Sequence, residues 1–237
     1  MVYALILLMA LNVSAQFLNR QAPVECSTQL HRIDSNHAIL GITLSPETHW
    51  HLYWSNPGEA GLAPSVTLDH STLEISPQDF PIPIRFETIG IIGYGYESTQ
   101  TFLFTIRGEI PPTLTGEAQW LACDQNACLP GSQRFSLSST SQTDWLQAAQ
   151  SSQPTPLHPS DIQRDTQNRR ITFSFASDTE LAGWSVYPYD ETFAELSLTQ
   201  VAREHERYTF TFSYIGEVPT KTSFLITDGK LGYKVTL

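Results

Sequence analysis

Two cysteines with four residues between them, Cys123 and Cys128, are the residues of this chain best suited to chemistry. They sit in the run Trp120-Leu121-Ala122-Cys123-Asp124-Gln125-Asn126-Ala127-Cys128-Leu129-Pro130-Gly131. A disulfide here closes a very small ring, worth about 2 kcal/mol in chain entropy against about 4.7 for a loop of roughly 100 residues. Such a bond is a poor staple but a workable redox switch, because it opens and closes without unfolding what surrounds it. An inert structural disulfide is the competing reading of the same spacing. Zinc is disfavoured, since two cysteines without a second pair or a nearby histidine give too few ligands. A thioredoxin-type motif needs only two residues between its cysteines.

The flanking residues read as two strands joined by the loop Asp124-Gln125-Asn126-Ala127, a common hairpin length. Opposed Cα atoms in an antiparallel pair lie about 4.5–5.5 Å apart, within the range a disulfide accepts. Pro130 cannot donate to a ladder, so pairing is expected to fail just past Cys128, leaving that sulfur near an edge within a partner's reach. A reactive thiolate needs positive charge nearby. Asp124 adjoins Cys123, and the closest cation in sequence is Arg134. The pair therefore reads as a recipient of attack by another protein's thiolate, through a mixed disulfide.

The elements that must hold this hairpin are strands. Apolar and polar residues alternate over 37–44, 50–54, 101–106 and 118–121, and again over 170–175, 184–187, 208–212, 223–227 and 231–235. Turn signals fall at Ser55-Asn56-Pro57-Gly58, Gly61, Pro64, Pro81-Ile82-Pro83, Pro111-Pro112 and Asp228-Gly229. Thr143-Asp144 before Trp145-Leu146-Gln147-Ala148-Ala149 predicts one short capped helix. Short strands with frequent turns predict an all-β fold, a β-sandwich followed by a second, smaller β domain. The expected division is a leader over 1–15, a redox domain over 16–149, a proline-stiffened linker over 150–159 and a second β domain over 160–237.

Composition narrows the partners. A net charge of −11 with 13 Lys+Arg in 237 residues argues against nucleic acid, which needs clustered cations. The apolar run Val2 to Leu11, followed by Val13-Ser14-Ala15, reads as a secretory signal peptide, although no Lys or Arg precedes it. Export places the protein in the periplasm or outside the cell, where disulfides persist. Cys26 is left over as a free or buried thiol.

Beyond the hairpin, Trp50-His51-Leu52-Tyr53-Trp54-Ser55-Asn56-Pro57-Gly58-Glu59-Ala60-Gly61-Leu62, Pro81-Ile82-Pro83, Tyr94-Gly95-Tyr96-Glu97 and the cysteine run stand in order along the chain. Together, over roughly 25–140, they resemble the N-terminal periplasmic domain of the DsbD/ScsB family of thiol:disulfide interchange proteins. The second half, with Trp184-Ser185-Val186-Tyr187-Pro188 and Ile226-Thr227-Asp228-Gly229-Lys230, resembles the added β region of the longer ScsB-type members. The resemblance implies an immunoglobulin-like β-sandwich with a cysteine-bearing hairpin insert, followed by a second small β-sandwich domain, and it implies a relay. A separate membrane thiol reductase would reduce the pair, which then reduces thioredoxin-fold partners, giving a component of a protein-disulfide reductase. It makes Cys123 and Cys128 the redox pair, with Cys128 forming the mixed disulfide. It also places Tyr53, Phe86, Tyr94 and Tyr96 as an aromatic cap around the sulfurs, with ordinary core packing as the alternative for each. No cofactor and no metal is expected. The cysteine gap is shorter than in the best-known DsbD domain. The family's membrane and thioredoxin domains have no counterpart in these 237 residues. Three readings stay open on that point: a lone relay served by a separate reductase, a binding surface that has lost the relay, and a piece of a longer protein.

Two rival functions come from other classes. One is a non-catalytic β-sandwich module that binds a protein, its disulfide merely structural. The other is copper handling, since ScsB-type relatives are associated with copper tolerance and His49 and His51 would share a strand face.

Overall fold

The computed structural model describes residues 22–88, 90–139, 143–158, 161–165, 167–176, 183–189, 197–205, 207–213 and 222–236. The leader expected over 1–15 lies outside them. In chain order the first half contains β1 Val24–Arg32, β2 His37–Pro46, β3 His51–Gly58, β4 Ser65–Leu68, β5 Glu74–Pro77, β6 Ile84–Thr88, β7 Ile91–Tyr96, β8 Gln100–Arg107, β9 Leu114–Cys123, β10 Cys128–Leu137 and helix α1 Asp144–Ser151. The second half contains β11 Thr155–Leu157, β12 Asp161–Asp165, β13 Arg170–Ala176, β14 Ser185–Pro188, β15 Ser197–Glu204, β16 Arg207–Ser213, β17 Ser223–Thr227 and β18 Gly232–Thr236.

Alternation makes these strands two-faced, and the buried faces pair up as a sandwich. One sheet runs β1-β2-β8-β5; the other runs β10-β9-β3-β7-β6, with β4 also on β9. Leu40, Ile42, Leu44, Phe102 and Phe104 from the first meet Leu52, Trp54, Tyr96, Ala118 and Ala122 from the second. Helix α1 closes the outside of the first sheet, with Leu146 and Ala149 packed on Ile39 and Leu103. Gly41 makes room for it: a Cβ there would lie 2.3 Å from the Trp145 ring. Thr143 precedes the helix, but its side chain makes no capping hydrogen bond.

The second half is another pair of sheets, β11-β18-β17-β14 and β12-β13-β16-β15. Ile171, Phe173, Phe175, Phe210, Phe224, Ile226 and Val235 form its core. The all-β, immunoglobulin-like reading of the sequence is what the chain adopts. Of the segment expected as a linker over 150–159, residues 150–151 end α1 and 155–157 form β11, which runs parallel to β18; residue 159 lies outside the described residues.

Two local expectations are corrected. Ser55-Asn56-Pro57-Gly58 is not a turn; β3 continues to Gly58, with its pairing to β7 interrupted between Tyr53 and Gly58. Pairing does not fail at Pro130 either: β10 stays in register with β9 from Cys128↔Cys123 to Leu137↔Leu114. The Pro130 carbonyl faces away from β9 and accepts from the Ala22 N–H at 3.3 Å. In an antiparallel strand a residue's N and C=O point the same way. The missing N–H therefore falls on the outer side, where no β9 bond is lost.

Candidate functional site

The site lies on the outer face of the sheet that holds β9, β3 and β7. A strand sends successive side chains to opposite faces. On β3, Leu52 and Trp54 go into the core, so His51 and Tyr53 face out. On β9, Trp120 and Ala122 go in and Cys123 faces out. Register sets Cys123 directly opposite His51 on β3 and opposite Cys128 on β10.

Cys123 and Cys128 are disulfide-bonded, their Cα atoms 4.0 Å apart. The loop between them is shaped by Asp124, whose Oδ1 accepts from the N–H groups of Asn126 and Ala127 at 2.7 Å each. The two sulfurs differ in environment. Cys123 is 2% exposed, whereas Cys128 is an exposed residue. The Tyr53 hydroxyl donates to Cys123 Sγ at 3.1 Å, and His51 Nε2 lies 3.3 Å from the Tyr53 oxygen. Burial pushes the Tyr53 phenol above its ordinary value, so it stays a donor. Burial pushes the His51 imidazole below its ordinary value, against the opposing pull of Glu97 and Asp124.

Around the disulfide is a cleft of about 300 Å³, lined by His51, Tyr53, Phe86, Ile91, Gly93 and the hairpin residues 123–128 among others. Phe86 on β6 faces Gly93 on β7 in register, and a Cβ at Gly93 would meet the Phe86 ring at 2.4 Å. The missing side chain lets the ring lie flat against the sheet beside His51, at 4.2 Å between centroids. Gly61 does the same for Tyr53: its φ of +128° suits glycine, and its Cβ would fall 2.3 Å from the Tyr53 ring.

Of the four aromatic residues expected around the pair, Tyr53 and Phe86 line the cleft. Tyr94 and Tyr96 do not. They alternate with Gly93 and Gly95 on β7 and point into the core, Tyr94 against Trp54 and Tyr187, Tyr96 against Phe102 with its hydroxyl on the Pro81 carbonyl. His51, weighed in the sequence only as a copper ligand, is the residue that was missed at the cleft; its two-residue spacing from Tyr53 was the available signal. His49 lies in the turn before β3 with φ 73°, not on the strand. Among the described residues, no group of three or more His, Cys, Asp or Glu is placed to hold a metal ion. Arg134 is paired with Asp69 at 2.5 Å, and no Lys or Arg is among the described residues lining the cleft. Cys26 is free on β1, its thiol pushed up to about 11 by burial. Among the described residues no helix is long and apolar enough to cross a membrane.

A family model described as the N-terminal domain of the thiol:disulfide interchange protein DsbD matches residues 18–140. The N-terminal periplasmic domain of ScsB from Proteus mirabilis is similar in fold, with 17% identity over 90% of this chain and 92% of that one and a TM-score of 0.72. The reduced DsbD N-terminal domain of Neisseria meningitidis, 11% identical, covers 48% of this chain and 85% of its own at a TM-score of 0.34. That second superposition is too loose to bear on the fold. No curated protein sequence matches the chain.

Proposed function

The chain belongs to the family of the DsbD N-terminal domain, and from that premise we propose that it exchanges disulfides with thioredoxin-fold proteins outside the cytoplasm. The asymmetry of the two sulfurs carries the reading. An incoming thiolate needs access to the sulfur it attacks, and exposed Cys128 offers it. The partner thiolate bonds to Cys128 Sγ, the Cys123–Cys128 bond breaks, and its electron pair leaves on Cys123. Tyr53, already donating to Cys123 Sγ, stabilises that thiolate. A second partner thiol then releases Cys128, giving the dithiol here and a disulfide on the partner. Run backwards, the same steps deliver two electrons to a new partner. A membrane thiol reductase is the proposed source, and Phe86 and Tyr53 are the proposed shields between deliveries.

Trapping tests this. A Cys123→Ser variant leaves Cys128 as the thiol that forms, and cannot resolve, a mixed disulfide. A thioredoxin-fold protein held on Cys128, together with a wild-type potential above about −300 mV, supports the relay. A bond that resists glutathione buffers and traps no thioredoxin-fold protein makes the disulfide structural and the domain a binding module.

A further inference from the structure

In the exchange described above, one proton has no carrier. Cys123 must gain a proton when the disulfide opens and lose it when the disulfide re-forms, yet this residue is 2% exposed. Bulk water is poorly placed to serve it. The Tyr53 hydroxyl is 3.1 Å from Cys123 Sγ, and His51 Nε2 is 3.3 Å from that hydroxyl. His51 also borders a second cavity, of about 510 Å³, whose other lining includes His49, Glu87, Glu97, Asp124 and Gln125. The imidazole thus stands between the apolar cleft of the disulfide and a polar, solvent-open cavity. We propose that Tyr53 and His51 are a proton relay connecting the buried Cys123 sulfur to this polar cavity. The inference rests on the redox reading of the cysteine pair and adds to it a proton path through Tyr53 to His51.

The relay balances in the direction that reduces a partner. Cys128 thiolate attacks the partner disulfide, forming the mixed disulfide and expelling one partner thiolate. The Cys123 S–H proton passes to the Tyr53 oxygen as the Tyr53 proton passes to His51 Nε2, leaving a Cys123 thiolate and an imidazolium. The thiolate attacks Cys128 Sγ, re-forms the disulfide and expels the second partner sulfur as thiolate. The imidazolium returns its proton to water in the polar cavity. In the disulfide state the Tyr53 proton points at Cys123 Sγ, so Nε2–H of His51 is the donor to Tyr53. Tyr53 touches the reacting sulfur and is a catalytic residue; His51 acts through it and is a positioning residue.

The charges facing His51 come from several elements. Glu97 sits in the turn after β7, Asp124 in the cysteine loop, Glu87 on β6 and His49 in the turn before β3. Burial nonetheless keeps the imidazole below its ordinary value, so near neutral pH it is uncharged and able to accept.

The test uses the full reduced chain in a Cys26→Ser background, mixed with one equivalent of 5,5′-dithiobis(2-nitrobenzoate). The first release of thionitrobenzoate reports attack by Cys128; the second reports attack by Cys123 on the mixed disulfide. In the wild type the second phase should rise with pH through an inflection below about 6.5, the ordinary histidine value. His51→Gln should remove that inflection, and both it and Tyr53→Phe should slow the second phase relative to the first. The expected loss is about a hundredfold near neutral pH, the lower end for a positioned proton carrier. Tyr53→Phe keeps the ring in place and decides the matter if His51→Gln does not fold. A wild-type second phase with no inflection below 6.5, or a ratio of phases unchanged in Tyr53→Phe, overturns the relay while leaving the redox pair standing. A wild type that shows no first phase overturns the redox reading itself.

Discussion

At the scale of single residues, three thiols in one chain are set to three different tasks by burial. Cys26 is desolvated on β1 with its pKa near 11, so at pH 8 only about one molecule in a thousand carries its thiolate. Reduced protein treated briefly with iodoacetamide at that pH should therefore be labelled at Cys128 and not at Cys26. Peptide mass mapping checks this, and Cys26 labelled as fast as Cys128 would contradict it. His51 gives a second prediction, in stability. Its folded pKa is lowered by burial, so the unfolded chain binds a proton there more readily. The associated stability is fully present above the unfolded value of about 6.5 and is lost as pH falls from there through the folded value. The carboxyls of Asp34, Asp69, Asp165 and Asp228 are held below the ordinary aspartate value of 3.8 by their hydrogen bonds and act only at lower pH. Urea titrations at pH 7 and pH 5 should show a loss in the wild type that shrinks in His51→Gln; an equal loss in both removes the buried histidine as its cause.

At the scale of elements, the site depends on which residues of β6, β7 and β3 face outward. Gly93 is the clearest case, because a methyl group there collides with the Phe86 ring at 2.4 Å. Gly93→Ala should tilt Phe86 off the sheet, cost about 1–3 kcal/mol as overpacking, and open the cleft. The disulfide should then be reduced several-fold faster by dithiothreitol; a fall in melting temperature with no gain in rate would show that Phe86 screens nothing. Much of this scale was legible in the sequence. Alternation located β2, β3, β8, β9, β13, β16 and β17, and a four-residue loop between two cysteines gave the hairpin its register. The faces were less legible. Tyr94 and Tyr96 carry the resemblance to the family, yet β7 turns them inward, and it is Gly93, just before them, that lines the cleft. Periodicity marks two faces without saying which one meets the core, and β3 is buried on both. The apparent turn at Ser55-Asn56-Pro57-Gly58 misled for a related reason: turn-type residues there serve an interrupted strand whose Asn56 reaches another part of the molecule.

At the scale of the whole molecule, that reach joins the two halves. Asn56 is 1% exposed and donates through Nδ2 to the Pro188 carbonyl at 2.8 Å, while its Oδ1 accepts from the Gly58 N–H at 3.0 Å. Trp54 packs on Tyr189 at 4.6 Å between ring centroids, and Tyr94 packs on Tyr187 at 4.7 Å. Lys234 lies over the Tyr189 ring and is ion-paired with Asp79. The contacts between the halves join residues far apart in sequence, Asn56 with Pro188 and Asp79 with Lys234 among them, and neither periodicity nor the proline-rich segment announces them. They also bear on the site. The strand that turns His51 and Tyr53 toward the disulfide turns Trp54 toward Tyr189, so the second half braces the back of the sheet whose front carries the disulfide. Asn56→Ala tests that brace. It leaves the buried Pro188 carbonyl and the half-buried Gly58 N–H without this partner, the carbonyl costing about 1–3 kcal/mol and the N–H less. Wild-type urea unfolding followed by tryptophan fluorescence and by far-ultraviolet circular dichroism should coincide in one transition. In Asn56→Ala the fluorescence transition, which reads Trp54 among others, should move to lower urea, a loss of about 2–4 kcal/mol. A shift below about 0.5 kcal/mol, within the range of an ordinary surface substitution, would mean that the halves stand side by side without holding each other, and that the second half lends the redox face no support.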